Sequence, residues 1–449
     1  MVGSELRAGV ASGTLDPPLG VPMMGYSARQ GGAAGTHDPL HVRAVYLRGD
    51  SDLLWIECEV CLFAPQQARE IRERVAERTG VPVARIIVGS IHTHSGPETG
   101  FGALLAGREP PAFVAGLLDT VIEVGVRACA TPQPARLAVG RAEARIGRNR
   151  RRADGPLDPD VLVVRVDRAD AREPLAILYV HGCHPTALGH DNLDYSADWP
   201  AAAGASIRSR YPSALPVFAL GAHADIDPRT RGLQDLAVEG QSVGVSHEET
   251  EKLGRELGDA VAAEAARLEP VADSRIGAES MSVRIPTHQP SESGLAGALE
   301  ALGLPPDARP KVSELFGLEQ ERTRSFSPDE RRERIARVRL YLRDRTAHRF
   351  AFAREPEVEV QVLRVGDALL LALPLEPTVD VGLEWKRRAP TSHASVLGIA
   401  NGWMRYLPHA KNFEEPDAHM KYEILQSTLV PDASTRLLDA AETLARELT

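Results

Sequence analysis

Two histidines stand two residues apart, His92 and His94, in the run IIVGSIHTHSG that spans 86–96. The β-branched residues before them predict a short buried strand, bounded by Pro82 upstream and by Gly96 and Pro97 downstream. Side chains alternate along a strand, so both imidazoles are expected on one face. Paired imidazoles at a strand end can bind a metal or move protons. An ordinary alternative carries equal weight for this pair alone: one buried histidine tied to backbone and one solvated loop histidine.

Four further segments share the same grammar, an apolar run that opens into polar, potentially ligating groups. Leu175–Trp199 delivers His181 and His184 ahead of Pro185, then His190, Asp191, Asp194 and Asp198. Val217–Arg231 breaks at Gly221 and delivers His223, Asp225 and Asp227 before Pro228. Ala368–Glu376 ends in Pro374 and places Glu376 at its exit, and Val396–Tyr406 ends in NGWMRY. Strands terminating in such groups predict a shared pole of a sheet, the place where ligands bind in open α/β proteins. The strands form the frame and the loops carry the chemistry.

Between these runs lie helical stretches. Pro65–Thr79, Pro110–Ala130, Pro200–Arg210, His247–Leu268 and Ser434–Leu448 read as helices. Ser327 with Glu330 forms a capping box that opens another, reaching to about Arg345. The expected fold class is therefore α/β: mixed β-sheets flanked by helices, with a metal site at the C-terminal ends of the strands. Residues 290–350 are charge-rich and helical and carry none of the site-like motifs. They read as a helical insertion within a single domain spanning 1–449, either a cover over the site, a subunit contact or an ordinary packed segment.

The succession HTHSGPE, CHPT, DIDPR, PLEPT and NGWMRY resembles the catalytic domain of the neutral/alkaline non-lysosomal ceramidases. MMGY at 23–26 with Gly35–Arg43 is similar to that family's opening. Gly147–Arg150 followed by LDPDVLVVRV at 157–166 is similar to its middle. The resemblance runs from about residue 7 to about residue 425 and rests on order and spacing together. It implies one catalytic zinc ion held by His92, His184, Glu376 and Tyr406, with Arg150 facing substrate oxygen atoms or carboxylates. Two neutral imidazoles and one carboxylate leave zinc a single net positive charge and room for water, whose pKa then falls towards ~7. On this reading His94 stabilises an oxyanion or shuttles a proton, and Tyr406 assists at the oxyanion.

One position departs from the family pattern. Asp227 stands where a GDVSP-like turn carries the serine that is assigned the nucleophilic role. A carboxylate does not form the same acyl-enzyme, but it can take a proton from water or bind a substrate cation. Asp225 reads equally well as a turn residue holding its own loop. The expected function is a zinc-dependent hydrolase that cleaves an amide-type C–N bond of a small soluble substrate through zinc-activated water. An ester or lactone is compatible with the same chemistry. A ceramidase or N-acyl-lipid amidase, and a non-enzymatic metal- or ligand-binding homologue, are the alternatives.

Composition bounds the setting. A chain of 449 residues with 43% hydrophobic content can bury a large core, and a net charge of −10 argues against a nucleic-acid partner. Met1–Leu19 has no apolar core of a secretory signal, and no apolar run reaches the ~20 residues needed to span a bilayer. Ser434–Leu448 is the last element, where secreted ceramidases continue into a β-sandwich domain. Cys58, Cys61, Cys129 and Cys183 read as reduced thiols of a cytoplasmic, bacterial protein. Homo-oligomerisation is compatible with this reading.

Overall fold

The computed structural model describes residues 5–171, 173–231, 243–289 and 327–449, with scattered positions between 296 and 308. Two sheets dominate. The larger has eight strands, edge to edge Leu215–Leu220, Pro174–His181, Asp160–Arg168, Gln133–Glu143, Arg7–Leu15, Leu40–Arg48, Asp52–Cys58 and Ile86–Ser90. Pairing is mixed: both outermost pairs are parallel, and the strands between them are antiparallel. The smaller sheet runs Ile276–Arg284, Glu357–Val365, Ala368–Ala372 and His393–Leu397.

Alternation along the strands sorts the core into layers. In Leu40–Arg48 and Asp52–Cys58, Val42, Ala44, Tyr46, Leu54 and Ile56 face one way. They pack on the helices Pro65–Thr79 and Ala112–Ala130, while the helices Trp199–Arg210 and His247–Arg267 cover the rest of that face. Val45, Leu47, Leu53 and Trp55 face the other way and meet Leu363, Val365, Leu370 and Leu397 of the smaller sheet. The outer face of that sheet is closed by Val381 and Trp385 of helix Val379–Arg388 and by Leu437, Leu438, Ala441 and Leu444 of helix Ala433–Leu448. The result is a helix–sheet–sheet–helix sandwich, the α/β class expected from the sequence.

The curl of the larger sheet brings its two edges together. The segment after the His393–Leu397 strand stitches them. Gly398 donates its N–H to Leu220 on one edge strand (2.9 Å), and Asn401 donates to Val88 on the other (2.7 Å). The Asn401 side chain returns a bond by accepting from the Val88 N–H at 3.1 Å. Strands from opposite edges, and from the second sheet, therefore end around one point.

Local chemistry explains the helices. Pro65 opens its helix and Gly80 closes it in a left-handed conformation, φ 78°. Helix Pro328–Phe350 begins with the Ser327–Glu330 capping box. It packs against the segment 418–426 beside the site. The remainder of the helical insertion, 290–326, lies almost wholly outside the described residues. Among the described residues no helix is long and apolar enough to cross a membrane, and the four cysteines form no disulfide.

Candidate metal centre

His92, His184, His223 and Glu376 converge with their donor atoms mutually within 4.8 Å, and all four are buried. Each histidine is fixed through Nδ1. His92 donates to the carbonyl of Cys61 (2.8 Å), His184 to that of Ile226 (3.2 Å) and His223 to that of Gly221 (2.8 Å). These bonds set one tautomer, leaving an Nε2 lone pair on each ring. The three Nε2 atoms face a single oxygen, Oε2 of Glu376, at 3.6, 3.3 and 3.5 Å. Nε2 of His184, Nε2 of His223 and Oε2 of Glu376 have no hydrogen-bond partner. Lone pairs crowded around a carboxylate in a dry pocket repel one another unless a cation lies among them. The donor set, three nitrogens and one oxygen, suits zinc.

Electrostatics agrees with that demand. Burial pushes the His92 imidazole down to about 3, helped by His184 and His223 and opposed by Glu376. Burial also lowers His223, and it holds His94 well below the usual histidine range together with His92 and His184. His92 and His223 therefore offer neutral imidazoles at neutral pH, the protonation state a metal requires.

Backbone placement of these groups departs in one way from the alternation argument. The strand stops at Ser90, so His92 lies beyond it, in the left-handed region with φ 68°. A non-glycine residue held there is strained, a state common at functional sites. His92 and His94 nevertheless meet, Nε2 to Nε2 at 3.2 Å, because the loop rather than the pleat brings them together. Gly25 of the MMGY run packs flat on the His94 ring at φ 108°, where any Cβ would strike the imidazole. Tyr26 meets the same ring edge-on at 4.7 Å, and Arg29 donates to the His94 carbonyl at 2.7 Å.

The other loops are braced in kind. Trp199 donates its indole N–H to the His184 carbonyl (2.9 Å), and Asp198 accepts from Ala187 and Leu188. Glu376 Oε1 accepts from the Trp403 indole at 2.7 Å, which leaves Oε2 turned inward. Asp225 accepts from the N–H of Val379 (2.8 Å), capping helix Val379–Arg388 from another loop. Burial raises its carboxyl to about 6. It serves structure rather than the cluster.

Tyr406 sits level with Glu376 in a short parallel pairing, and its hydroxyl lies 3.5 Å from Nη2 of Arg150. Burial, with Glu376, raises the phenol well above its usual range, so it stays protonated. Arg150 is buried and spends its charge on Glu423 (2.8 Å) and Asp227 (3.1 Å). Asp227 stands on the Nδ1 side of His184, 3.7 Å away, opposite the converging Nε2. Burial works against its charge, but Arg150, His184 and Arg231 prevail and hold the carboxyl below its ordinary value.

Of the predicted ligands, His92, His184 and Glu376 share the cluster. His223, named in the sequence as a strand-end histidine, is the fourth member. The bracing roles of Gly25, Arg29, Trp199, Trp403 and Glu423 were not read from the sequence. The aromatic and glycine positions beside MMGY and NGWMRY were the available signal.

No protein-family model matches the chain. A stretch of 245 residues is 27% identical to a neutral ceramidase from Mycobacterium tuberculosis, covering 47% of this chain and 38% of that protein. The chain thus matches well under two thirds of this curated relative's length. A solved structure described as a ceramidase complexed with C2 superposes with a TM-score of 0.72 at 19% identity, over 99% of this chain and 76% of the other. The chain has the fold of that ceramidase. The neutral ceramidase from Pseudomonas aeruginosa superposes equally well, with a TM-score of 0.71 over 98% of this chain and 74% of that one at 19% identity. Within this ceramidase fold, Asp227 rather than serine occupies the turn after His223. The family resemblance seen in the order of the motifs holds.

Proposed function

We propose that the chain is a zinc-dependent hydrolase that cleaves an amide-type C–N bond in a small soluble substrate, with esters and lactones open to the same chemistry. The observation that carries this reading is the convergence of three Nε2 atoms on Glu376 Oε2, where Oε2 and the Nε2 atoms of His184 and His223 have no hydrogen-bond partner. We assign the metal to His92, His184, His223 and Glu376, with Tyr406 beside it. When bound, zinc supplies Lewis acidity towards a carbonyl and lowers the pKa of water towards ~7.

This chain's own residues do the rest. Tyr406 is a protonated donor suited to a developing oxyanion, and Arg150 holds its hydroxyl in place. His94 is neutral and holds its Nε2 beside the cluster, 3.2 Å from that of His92, so we assign it the transfer of a proton between water and the leaving nitrogen. Asp227, expected as the general base, is held ionised against Arg150 and lies behind His184. We assign it to positioning Arg150.

The second reading, a ceramidase or N-acyl-lipid amidase, is favoured by the curated relative's name. It has to do without a hydroxyl at position 227. The deciding experiment is a hydrolysis screen of metal-stripped and zinc-reloaded protein. The panel comprises small acyl amides, lactones and a short-chain ceramide. Zinc-restored cleavage of small soluble amides is expected, with ceramide cleaved poorly. Preferential cleavage of ceramide would install the second reading, and no zinc-dependent turnover anywhere would remove both.

A further inference from the structure

Cys61 is the side chain at the metal cluster that the hydrolytic reading leaves without a task. It is buried, and its Sγ lies 3.4 Å from Nδ1 of His92. That nitrogen already gives its proton to the Cys61 carbonyl at 2.8 Å, so it offers the thiol no lone pair. The sulfur also stands outside the set of His92, His184, His223 and Glu376, which supplies four donors without it. Among the described residues Cys61 is the one cysteine grouped with two imidazoles.

One donor atom each from Cys61, His92 and His94 lie within 4.8 Å of one another, close enough to share a cation. Nε2 of His94 stands 3.2 Å from that of His92, and its buried Nδ1 has no hydrogen-bond partner. The His94 ring as a whole is only half-buried, which gives a cation a way in. Sulfur and imidazole without a carboxylate make a soft donor set, unlike the nitrogen and oxygen cluster beside it. Charge narrows the choice further. A thiolate cancels one positive charge, so a monovalent cation leaves this buried group neutral, whereas a divalent one leaves a net charge in a dry pocket.

We propose that Cys61, His92 and His94 form a second, soft metal site that takes copper(I) and empties the neighbouring cluster. Binding exchanges the thiol proton, which leaves to solvent, for a sulfur–copper bond, with no change of oxidation state. A neutral imidazole has one lone pair. Whichever nitrogen of His92 copper(I) takes, the ring can no longer serve the cluster through Nε2. Occupancy of the soft site therefore removes one of the four ligands assigned to zinc and switches the hydrolase off. The switching rests on the hydrolase reading, whereas the copper site stands by itself.

The test is anaerobic titration of the full chain, zinc-loaded and metal-free, with copper(I) buffered by bicinchoninate. Copper bound and zinc released are measured, and copper X-ray absorption reads the ligands. Both forms should take one copper per chain with a sulfur and two imidazole nitrogens, and the zinc-loaded form should release its zinc in step. Cys61→Ser should bind copper(I) about tenfold more weakly or worse and keep its zinc, and His94→Gln should weaken binding several-fold. Cys183→Ser should match the wild type. A copper shell without sulfur, undiminished binding by Cys61→Ser, or copper uptake with zinc fully retained would overturn the proposal. Because the metal-free form is measured, failure of the zinc reading leaves the copper result interpretable. Near-ultraviolet circular dichroism reads whether each variant folds. If Cys61→Ser does not fold, the wild-type shell decides, since Cys61 is the cysteine grouped with two imidazoles among the described residues.

Discussion

Nε2 of His223 stands 3.5 Å from Oε2 of Glu376, although the two residues come from different sheets. The loop after Leu215–Leu220 and the turn after Ala368–Ala372 meet because Ala224 donates to the Pro377 carbonyl at 3.0 Å. This contact makes His223 a member of the donor set and sets it against Tyr406, the ligand implied by the family pattern. His223→Gln should weaken zinc affinity by ~10²-fold or more, whereas Tyr406→Phe should retain zinc and lose turnover. Competition with a fluorescent chelator reads both. Full zinc affinity in His223→Gln with loss in Tyr406→Phe would restore the family's ligand set.

Trp403 aims Glu376. Its indole N–H occupies Oε1, so Oε2 points to the histidines. Trp403→Phe keeps the ring against Phe101, 5.1 Å away, and deletes only the donor. Metal affinity should fall by ~10–100-fold, the usual effect of removing a group that orients a ligand. An unchanged affinity would show that Glu376 needs no such support.

The proton-transfer assignment separates His94 from Asp227. Asp227→Asn should keep zinc and lower turnover, with the shape of the pH–rate profile unchanged, since Asp227 only holds Arg150. His94→Gln should cost ~10²–10⁴-fold, the range for losing an acid–base group, and should abolish one limb of the profile. If Asp227→Asn is the variant that loses the limb, Asp227 is the base and the two roles exchange.

How much of this was legible beforehand differs from residue to residue. His184 and Glu376 each terminate an apolar run before a proline, and that signal is local. Helix Pro65–Thr79 and the Ser327 capping box were legible for the same reason, since caps and periodicity act within a few residues. His92 was found for a partly wrong reason: the pleat was invoked, but the strand ends at Ser90 and a left-handed turn does the aiming. His223 could be seen but not ranked. Its membership depends on two edge strands meeting across the curled sheet, a non-local event that no window of sequence encodes.

Glu57 supplies a prediction about stability. It is buried between the two sheets and accepts from the Trp55 indole at 2.7 Å, while Oε2 has no partner. Burial pushes its carboxyl up to about 8, with the Trp55 bond opposing. The folded value lies above the unfolded one, so the contribution is full below about 4.5 and is lost as pH rises to about 8. The wild type should lose stability across that window at up to ~1.4 kcal/mol per pH unit from this group. Glu57→Gln keeps an acceptor for Trp55 and cannot ionise. Its melting temperature relative to wild type should therefore rise between pH 5 and pH 8. A constant difference across the window would mean that Glu57 titrates normally.

The central claim is that three histidines and Glu376 hold one zinc ion, and metal analysis by inductively coupled plasma mass spectrometry tests it most directly. The measurement compares wild type with Glu376→Gln, both purified with zinc supplied and then dialysed. One zinc per chain in the wild type and less than a tenth of that in Glu376→Gln is the predicted result. A wild type without zinc, a wild type loaded instead with iron or manganese, or a variant that keeps its full complement would contradict the account.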